Sequence, residues 1–290
     1  MKRIRVASFF SGAGGLDLGL CPSLFEIVCF SEIDKWAAGV FQYHHKGVPN
    51  LGDITKIRPQ DVPSHNFFVF GSPCQDLSVS GSRKGIHEGE RSGLFHMGVQ
   101  IIKEKRPSHI LWENVEGALS SQKGWDFATV QTELAEIGYD LRWEVLNGKE
   151  FGVPQNRTRV FLFGTLREEG SREILLRRSN QPQLNLPFQT SQPEEERCIR
   201  KHHLKQNGRI LTRFSHTITK VEQPHAVIGE RVRRLTPREC ERLMSWPDDF
   251  TRWGIIDGEV QEMSDRQRYN MIGNGVISNC VRQIVSTLLS

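Results

Sequence analysis

A lone cysteine, Cys74, sits in Gly71-Ser72-Pro73-Cys74-Gln75, directly after the apolar run Phe67-Phe68-Val69-Phe70. The run reads as a buried strand, so Cys74 falls where an open α/β sheet delivers its ligand-facing loop. Free cysteines are most often inert core residues. Here Pro73 precedes the thiol and Gln75, Asp76 and Ser78 follow it, which is the composition of a loop. Attack requires the thiolate, and a neighbouring cation lowers a thiol's pKa. Arg157 and Arg159, two apart in an extended segment, are placed to supply that cation. Glu113 ends the apolar run Ile110-Leu111-Trp112, where an ionisable group is costly unless it is used. A thiolate, a carboxyl group and guanidinium groups together suit a covalent attack assisted by a positioned acid.

A second set of residues suits a nucleoside. Phe10-Ser11-Gly12-Ala13-Gly14-Gly15 is a glycine-rich turn after an apolar strand, and its backbone can approach a ligand closely, with amides meeting negative charge at a helix N-terminus. A dinucleotide fingerprint needs a third glycine at position 17; Asp17 stands there and would repel a pyrophosphate. A zwitterionic ligand without phosphates fits better. Glu32, ending the second strand, is placed to accept from ribose hydroxyls, and Asp53 after Leu51-Gly52 to take an adenine amino group. Either acid taken alone has a surface or helix-capping role as an equal alternative.

These residues need a scaffold that brings strand ends together. Arg3 to Phe10, Glu26 to Ser31, Phe67 to Phe70, His109 to Trp112, Leu141 to Leu146 and Val160 to Gly164 are β-like runs. Several lack alternation, as strands covered on both faces do. Helical stretches at Lys35 to His45, Leu94 to Lys105 and Trp125 to Ile137 separate them. This order predicts a doubly wound α/β sheet over residues 1–166. Residues 167–200 are polar, with Pro182, Pro187 and Pro193 breaking long elements, and read as the entry to a smaller domain over about 167–269. Thr236-Pro237-Arg238-Glu239 starts a helix as a capping box, with Pro247 as its stop. Residues from about 270 onward return to the large domain, ending in an amphipathic segment from Asn279 to Leu289.

The composition is 37% hydrophobic and 25% charged, ordinary for a chain that buries a sizeable core. The basic start Met1-Lys2-Arg3-Ile4-Arg5 is followed by too short an apolar run for a signal core or a membrane span. Six cysteines without a C-x-x-C pair indicate neither a zinc site nor a disulfide framework, and free thiols fit a reducing cytoplasm. Residues 1–166 balance 18 basic against 18 acidic side chains, whereas 167–290 carry 20 against 16, so the second part holds the whole +4 surplus. Over 197–234 ten basic residues face only Glu222 and Glu230, a bias that favours a polyanion partner over a merely solvated face.

Taken in order, Phe-x-Gly-x-Gly-Gly at 10–15, Pro-Cys-Gln at 73–75, Glu-Asn-Val at 113–115, Gln-x-Arg-x-Arg at 155–159, Arg-x-Leu-Thr-Pro-Arg-Glu-Cys at 233–240 and Gly-Asn-Gly-Val at 273–276 resemble the DNA (cytosine-5)-methyltransferases of bacteria and phages. The resemblance covers nearly the whole chain except about 167–230; many members have aspartate where Ser8 stands. It implies a Rossmann-like methyltransferase sheet with a smaller target-recognition domain, S-adenosylmethionine as cofactor without a metal, and duplex DNA as partner. A monomer in the cytoplasm is expected, with a restriction endonuclease as a companion in such systems. Cys74 would add to C6 of a flipped-out cytosine while Glu113 contacts N3 and the exocyclic amine. Arg159 would hold O2, with Arg157 supporting the thiolate and a phosphate. Cofactor contacts carry over to Phe10, Gly12, Gly14, Gly15 and Leu16 in the loop, to Glu32, Ile33, Asp53 and Ile54, to Pro73 and Leu94, and to Asn274 and Val276 in the closing motif. Ser80 matches a mobile loop that closes on DNA, and Arg209, Arg213 and Lys220 in the variable stretch are candidates for phosphate or guanine contacts. The same chemistry would permit an RNA substrate, and a silent DNA-binding protein on this fold is opposed by the intact Cys74 and Glu113.

Overall fold

The computed structural model describes residues 3–73, 93–167, 197–199, 215–216, 225–228 and 231–289. Strand β1 (Ile4–Phe9) leads into the glycine turn, and β2 (Phe25–Ser31) and helix α1 (Lys35–His44) follow. Next come β3 (Phe67–Phe70), α2 (Leu94–Lys105), β4 (His109–Val115), α3 (Trp125–Glu136) and β5 (Tyr139–Asn147). The two-residue β6 (Gln155–Asn156) precedes the long β7 (Thr158–Leu166).

One six-stranded sheet has the order β2-β1-β3-β4-β7-β5. The neighbours β2, β1, β3 and β4 are parallel, and β7 runs antiparallel to both β4 and β5. The chain therefore leaves β1 for β2 on one side and returns to β3 on the other. That reversal opens a crevice beyond the carboxyl ends of β1 and β3, where open α/β sheets bind ligands.

Along β3 the side chains alternate between two cores although every one is apolar. Phe67 and Val69 pack with Val6, Leu111 and Phe161 on one face; Phe68 and Phe70 pack with Phe9, Ile110, Trp112 and Leu162 on the other. Burial on both faces is the reason the sequence shows no alternation there. Helices α2 and α3 supply Phe95, Ile102, Phe127 and Leu134 to the second face.

The first face is covered by the C-terminal part of the chain, with residues from both sides of position 269. Strands β8 (Arg197–Ile199), β9 (Ser215–His216), β10 (His225–Ile228) and β11 (Arg231–Arg234) precede it; β8, β10 and β11 form a sheet of their own, and β9 pairs in parallel with β6. From Leu235 onward, however, Leu243, Met244, Trp246, Phe250, Ile256 and Met263 share one buried cluster with Val6, Phe67 and Phe161. Among the described residues, this segment packs on the first face of the large sheet.

Within it, α4 (Pro237–Leu243) starts as expected, Thr236 and Glu239 exchanging both capping-box bonds, but it ends four residues before Pro247. The hairpin β12 (Trp253–Ile256) and β13 (Glu259–Glu262) packs on α1. Helix α5 (Asp265–Asn274) carries a second capping box, Ser264 with Gln267; its polar composition hides the helical period from a reading of the sequence. Helix α6 (Ser278–Leu289) returns Cys280, Val281 and Val285 to the same core. The glycine turn also differs from expectation: it enters only a three-residue 3-10 turn, Asp17–Gly19. Gly19 lies against α6, where a methyl group would overlap Val281, so close packing takes the place of a full helix.

Candidate active site

The carboxyl end of β4 and the amino end of β7 form one wall of the crevice. Glu113 Oε1 lies 3.0 Å from Arg159 Nε, both side chains being largely buried. Burial pushes the Glu113 carboxyl above its ordinary pKa, and the guanidinium groups of Arg159 and Arg157 oppose that rise without cancelling it. A carboxyl group raised in this way holds a proton more readily than a solvated one.

The segment leading to Cys74 is pinned to the same strand end. Trp112 Nε1 donates to Ser72 Oγ at 3.0 Å, and Asn114 Nδ2 donates to the Ser72 carbonyl at 3.0 Å. Asn114 Oδ1 accepts from the Val115 backbone amide at 2.8 Å, which fixes the orientation of the side-chain amide. Gly71 passes so near Glu113 that a methyl group on it would come 3.4 Å from Oε2. Pro73 ends the described segment, exposed. Cys74 and Ser80 lie outside the described residues, as do Arg209, Arg213 and Lys220. Sequence reasoning missed Ser72, Trp112 and Asn114 as positioning groups; the signal was a polar Asn directly after Glu113 at the end of the run Ile110-Leu111-Trp112.

Arg157 is tied to the Gly-Asn-Gly-Val turn. It is buried, and its guanidinium donates to the carbonyls of Gly273 at 3.0 Å and Gly275 at 2.5 Å. Burial and the neighbouring Arg159 charge pull its pKa down to about 9. Of the two arginines, Arg159 pairs with the carboxylate and Arg157 secures the Gly-Asn-Gly-Val turn. The extended segment sends them to different neighbours because Arg157 precedes β7 and Arg159 lies within it.

At the ends of β1 and β2 the nucleoside candidates converge. Phe10, Gly12 and Gly14 have φ of 54°, 54° and 98°, the left-handed region that glycine enters freely and phenylalanine rarely does. The Gly12 amide donates to Glu32 Oε2 at 2.8 Å and the Asp34 amide to Oε1 at 2.8 Å, so Glu32 ties the glycine turn to the end of β2. Ile33 beside it is 76% exposed, an apolar surface at the crevice. Asp53 takes the capping role weighed for it: its Oδ1 accepts from the Thr55 amide and hydroxyl, and these bonds hold the carboxyl below its ordinary range. Phe10, Ile54 and Leu94 belong to one apolar cluster although they lie far apart in sequence. Leu16 and Val276 are buried in the other, and Asn274 is exposed at the end of α5. A methyl group on Gly12 or Gly52 would meet nothing within 4 Å, so the turn opens onto free space beside a carboxylate and an apolar wall. Those features fit a group carrying an adenosine.

Asp17 does not face this space. It is buried under the turn and accepts from Ser8 Oγ at 3.0 Å, and burial pushes its carboxyl up to about 7. Among the described residues no His, Cys, Asp and Glu cluster is arranged to hold a metal ion, and no helix is long and apolar enough to cross a membrane.

The profile of the C-5 cytosine-specific DNA methylases matches residues 4–205 and 194–290. The chain belongs to that family. It is a DNA cytosine-5 methyltransferase, an enzyme acting on DNA. Among its relatives, the Type II methyltransferase M.Bsp6I of Bacillus sp. (strain RFL6) is 28% identical over 322 aligned positions, covering 98% of each chain. The Type II methyltransferase M.SsoII of Shigella sonnei is 30% identical over 324 positions, covering 99% of this chain and 81% of its own. The fold is shared with S. pombe Dnmt2, at a TM-score of 0.69 and 20% identity over 99% of this chain and 98% of that one. It is also shared with a putative DNA modification methyltransferase encoded within an E. coli prophage, at a TM-score of 0.66 and 19% identity, with 99% and 98% covered.

Proposed function

We propose that the chain methylates C5 of a cytosine flipped out of duplex DNA, through a covalent Cys74 adduct and with S-adenosylmethionine as methyl donor. The observation that carries this reading is the Glu113–Arg159 pair, 3.0 Å apart, with Gly71 against the carboxylate three residues before Cys74. C5 of cytosine is a poor nucleophile until a group adds at C6. Cys74 adds there as the thiolate while Glu113 hydrogen-bonds N3 and the exocyclic amine and supports protonation at N3. Arg159 holds O2 and balances the carboxylate. The addition leaves C5 electron-rich. The bound cofactor supplies a sulfonium methyl group to that carbon. A base then removes the C5 proton, the electron pair re-forms the C5–C6 double bond, and Cys74 departs as the thiolate.

Gly12, Gly14, Gly15 and Leu16 would hold the methionine end of the cofactor, Glu32 the ribose, and Ile33, Asp53, Ile54 and Leu94 the adenine. Pro73, Asn274 and Val276 would close over it. The region of about 167–234 is proposed to recognise the target sequence, a monomer acting in the cytoplasm. The Type II names of its relatives support a restriction endonuclease as companion. Reaching a stacked base costs a few kcal/mol of unstacking, which the DNA contacts must offset.

Bisulfite sequencing of DNA from cells expressing the chain tests the activity, base and site together: protected cytosines at one short sequence are expected. A duplex with 5-fluorocytosine at that sequence should trap a stable adduct on Cys74, since fluorine cannot leave as a proton does, and Cys74→Ala should give neither adduct nor methylation. Methylation retained by Cys74→Ala, or incorporation into RNA alone, would overturn the reading.

A further inference from the structure

Two glycines of the proposed cofactor site owe their identity to one tryptophan. Gly275 has φ −75°, a conformation open to any residue, so backbone freedom does not explain it. A methyl group on Gly275 would overlap Cζ2 and Cη2 of Trp246. A methyl group on Gly15 would come 2.7 Å from the same Cζ2 and 3.1 Å from the Val276 amide nitrogen. The backbones of the glycine turn and of the Gly-Asn-Gly-Val turn thus close on one atom of an indole that is only 3% exposed.

The ring is fixed from several directions. Its Nε1 donates to the Val276 carbonyl at 2.9 Å, and Phe250 packs edge-on at 5.6 Å between centroids. Ser245, just before it, takes φ 59°, and Ser278 at the start of α6 holds that bend by donating to the carbonyls of Met244 and Ser245. Arg157 grips the carbonyls of Gly273 and Gly275 from the β7 side. Two segments at opposite ends of the chain are therefore spaced by a single rigid side chain.

We infer that Trp246 is a positioning residue for cofactor binding: its indole sets the gap between Gly15 and the Gly275–Val276 turn, and with it the width of the methionine end of the pocket. The inference rests on the reading of these two segments as the S-adenosylmethionine site. Equilibrium binding of S-adenosylmethionine to the full chain, with thermal melting and duplex DNA binding measured alongside, tests it. Trp246→Phe, which loses the benzo atoms and the Nε1 bond, should weaken cofactor binding about tenfold and raise KM for the cofactor while kcat at saturation changes less than threefold. Gly275→Ala should weaken binding at least as much. The double variant Gly275→Ala with Trp246→Phe should bind more tightly than Gly275→Ala alone, because the smaller ring leaves room for the methyl group. Gly15→Ala, alone and paired with Trp246→Phe, gives the same comparison from the other turn. Trp125→Phe, at the exposed start of α3, is the control. Losses that multiply in the double variants, or folded Trp246→Phe binding cofactor within twofold of wild type, would overturn the inference. A wild-type chain that does not bind S-adenosylmethionine would instead overturn the site reading.

Discussion

Glu113 and Arg159 pair diagonally across the antiparallel junction of β4 and β7: Glu113 stands opposite Phe161 and Arg159 opposite Val115, yet their charged groups meet at 3.0 Å. Long side chains bridge such diagonals in sheets. The reversed strand is what makes this possible, because β7 then begins where β4 ends and both functional groups arrive at the same rim.

Glu113→Gln keeps shape and hydrogen-bonding reach but removes the charge. Single-turnover methylation should slow by about 10²–10⁴-fold, the usual range for a positioned acid, with duplex affinity changed only slightly. An unchanged single-turnover rate would make Glu113 a structural residue.

The two arginines should separate kinetically. Arg159→Lys loses the planar fork that faces the carboxylate and should lower the chemical rate at saturating cofactor. Arg157→Lys replaces the planar guanidinium whose Nη2 donates to both the Gly273 and Gly275 carbonyls with a shorter-reaching, more strongly hydrated ammonium; it should lower Tm and raise KM for the cofactor, with a smaller effect on the rate at saturation. Identical kinetic profiles for the two variants would contradict this division.

Asp17 carries a pH signature. Its native carboxyl is raised from an ordinary 3.8 to about 7, so the folded state holds a proton that the unfolded chain releases. The stability it contributes is full below about pH 4 and is eroded as pH climbs through about 7, by up to about 1.4 kcal/mol per pH unit across that window. Asp17→Asn, which still accepts from Ser8, should flatten the slope of unfolding free energy against pH between about 4 and 7. Parallel curves for the two proteins would show that Asp17 does not set that slope.

The basic run should act through phosphates. Neutralising Arg209, Arg213 and Lys220 together should weaken duplex binding and reduce its log–log salt slope by roughly 0.9 for each phosphate that is no longer neutralised, leaving cofactor binding alone. If one of them instead pairs with guanine, its single substitution should cost about 1–3 kcal/mol at one base position and relax the site. Unaltered affinity and slope in the triple variant would send the search for recognition elsewhere.

Much of the fold and part of the site are legible in the residues. Uninterrupted apolar runs at 67–70 and 110–112 announce strands buried on both faces, and Thr236-Pro237-Arg238-Glu239 announces a helix start, because local chemistry alone satisfies those requirements. The motif order announces the family. Contacts between distant segments are not legible. That Arg157 turns to Gly273 and Gly275 while Arg159 turns to Glu113 depends on where β7 starts relative to β4. That residues 235–263 pack with β1 and β3 depends on which sheet face lacks a cover, and no local pattern encodes it. The glycines at 15 and 275 are visible as motif letters, but the reason for them, an indole supplied by Trp246, exists only once three separate segments share one volume. Residue types set the chemistry each position brings and the local geometry of its element; close packing between elements decides which of those groups meet.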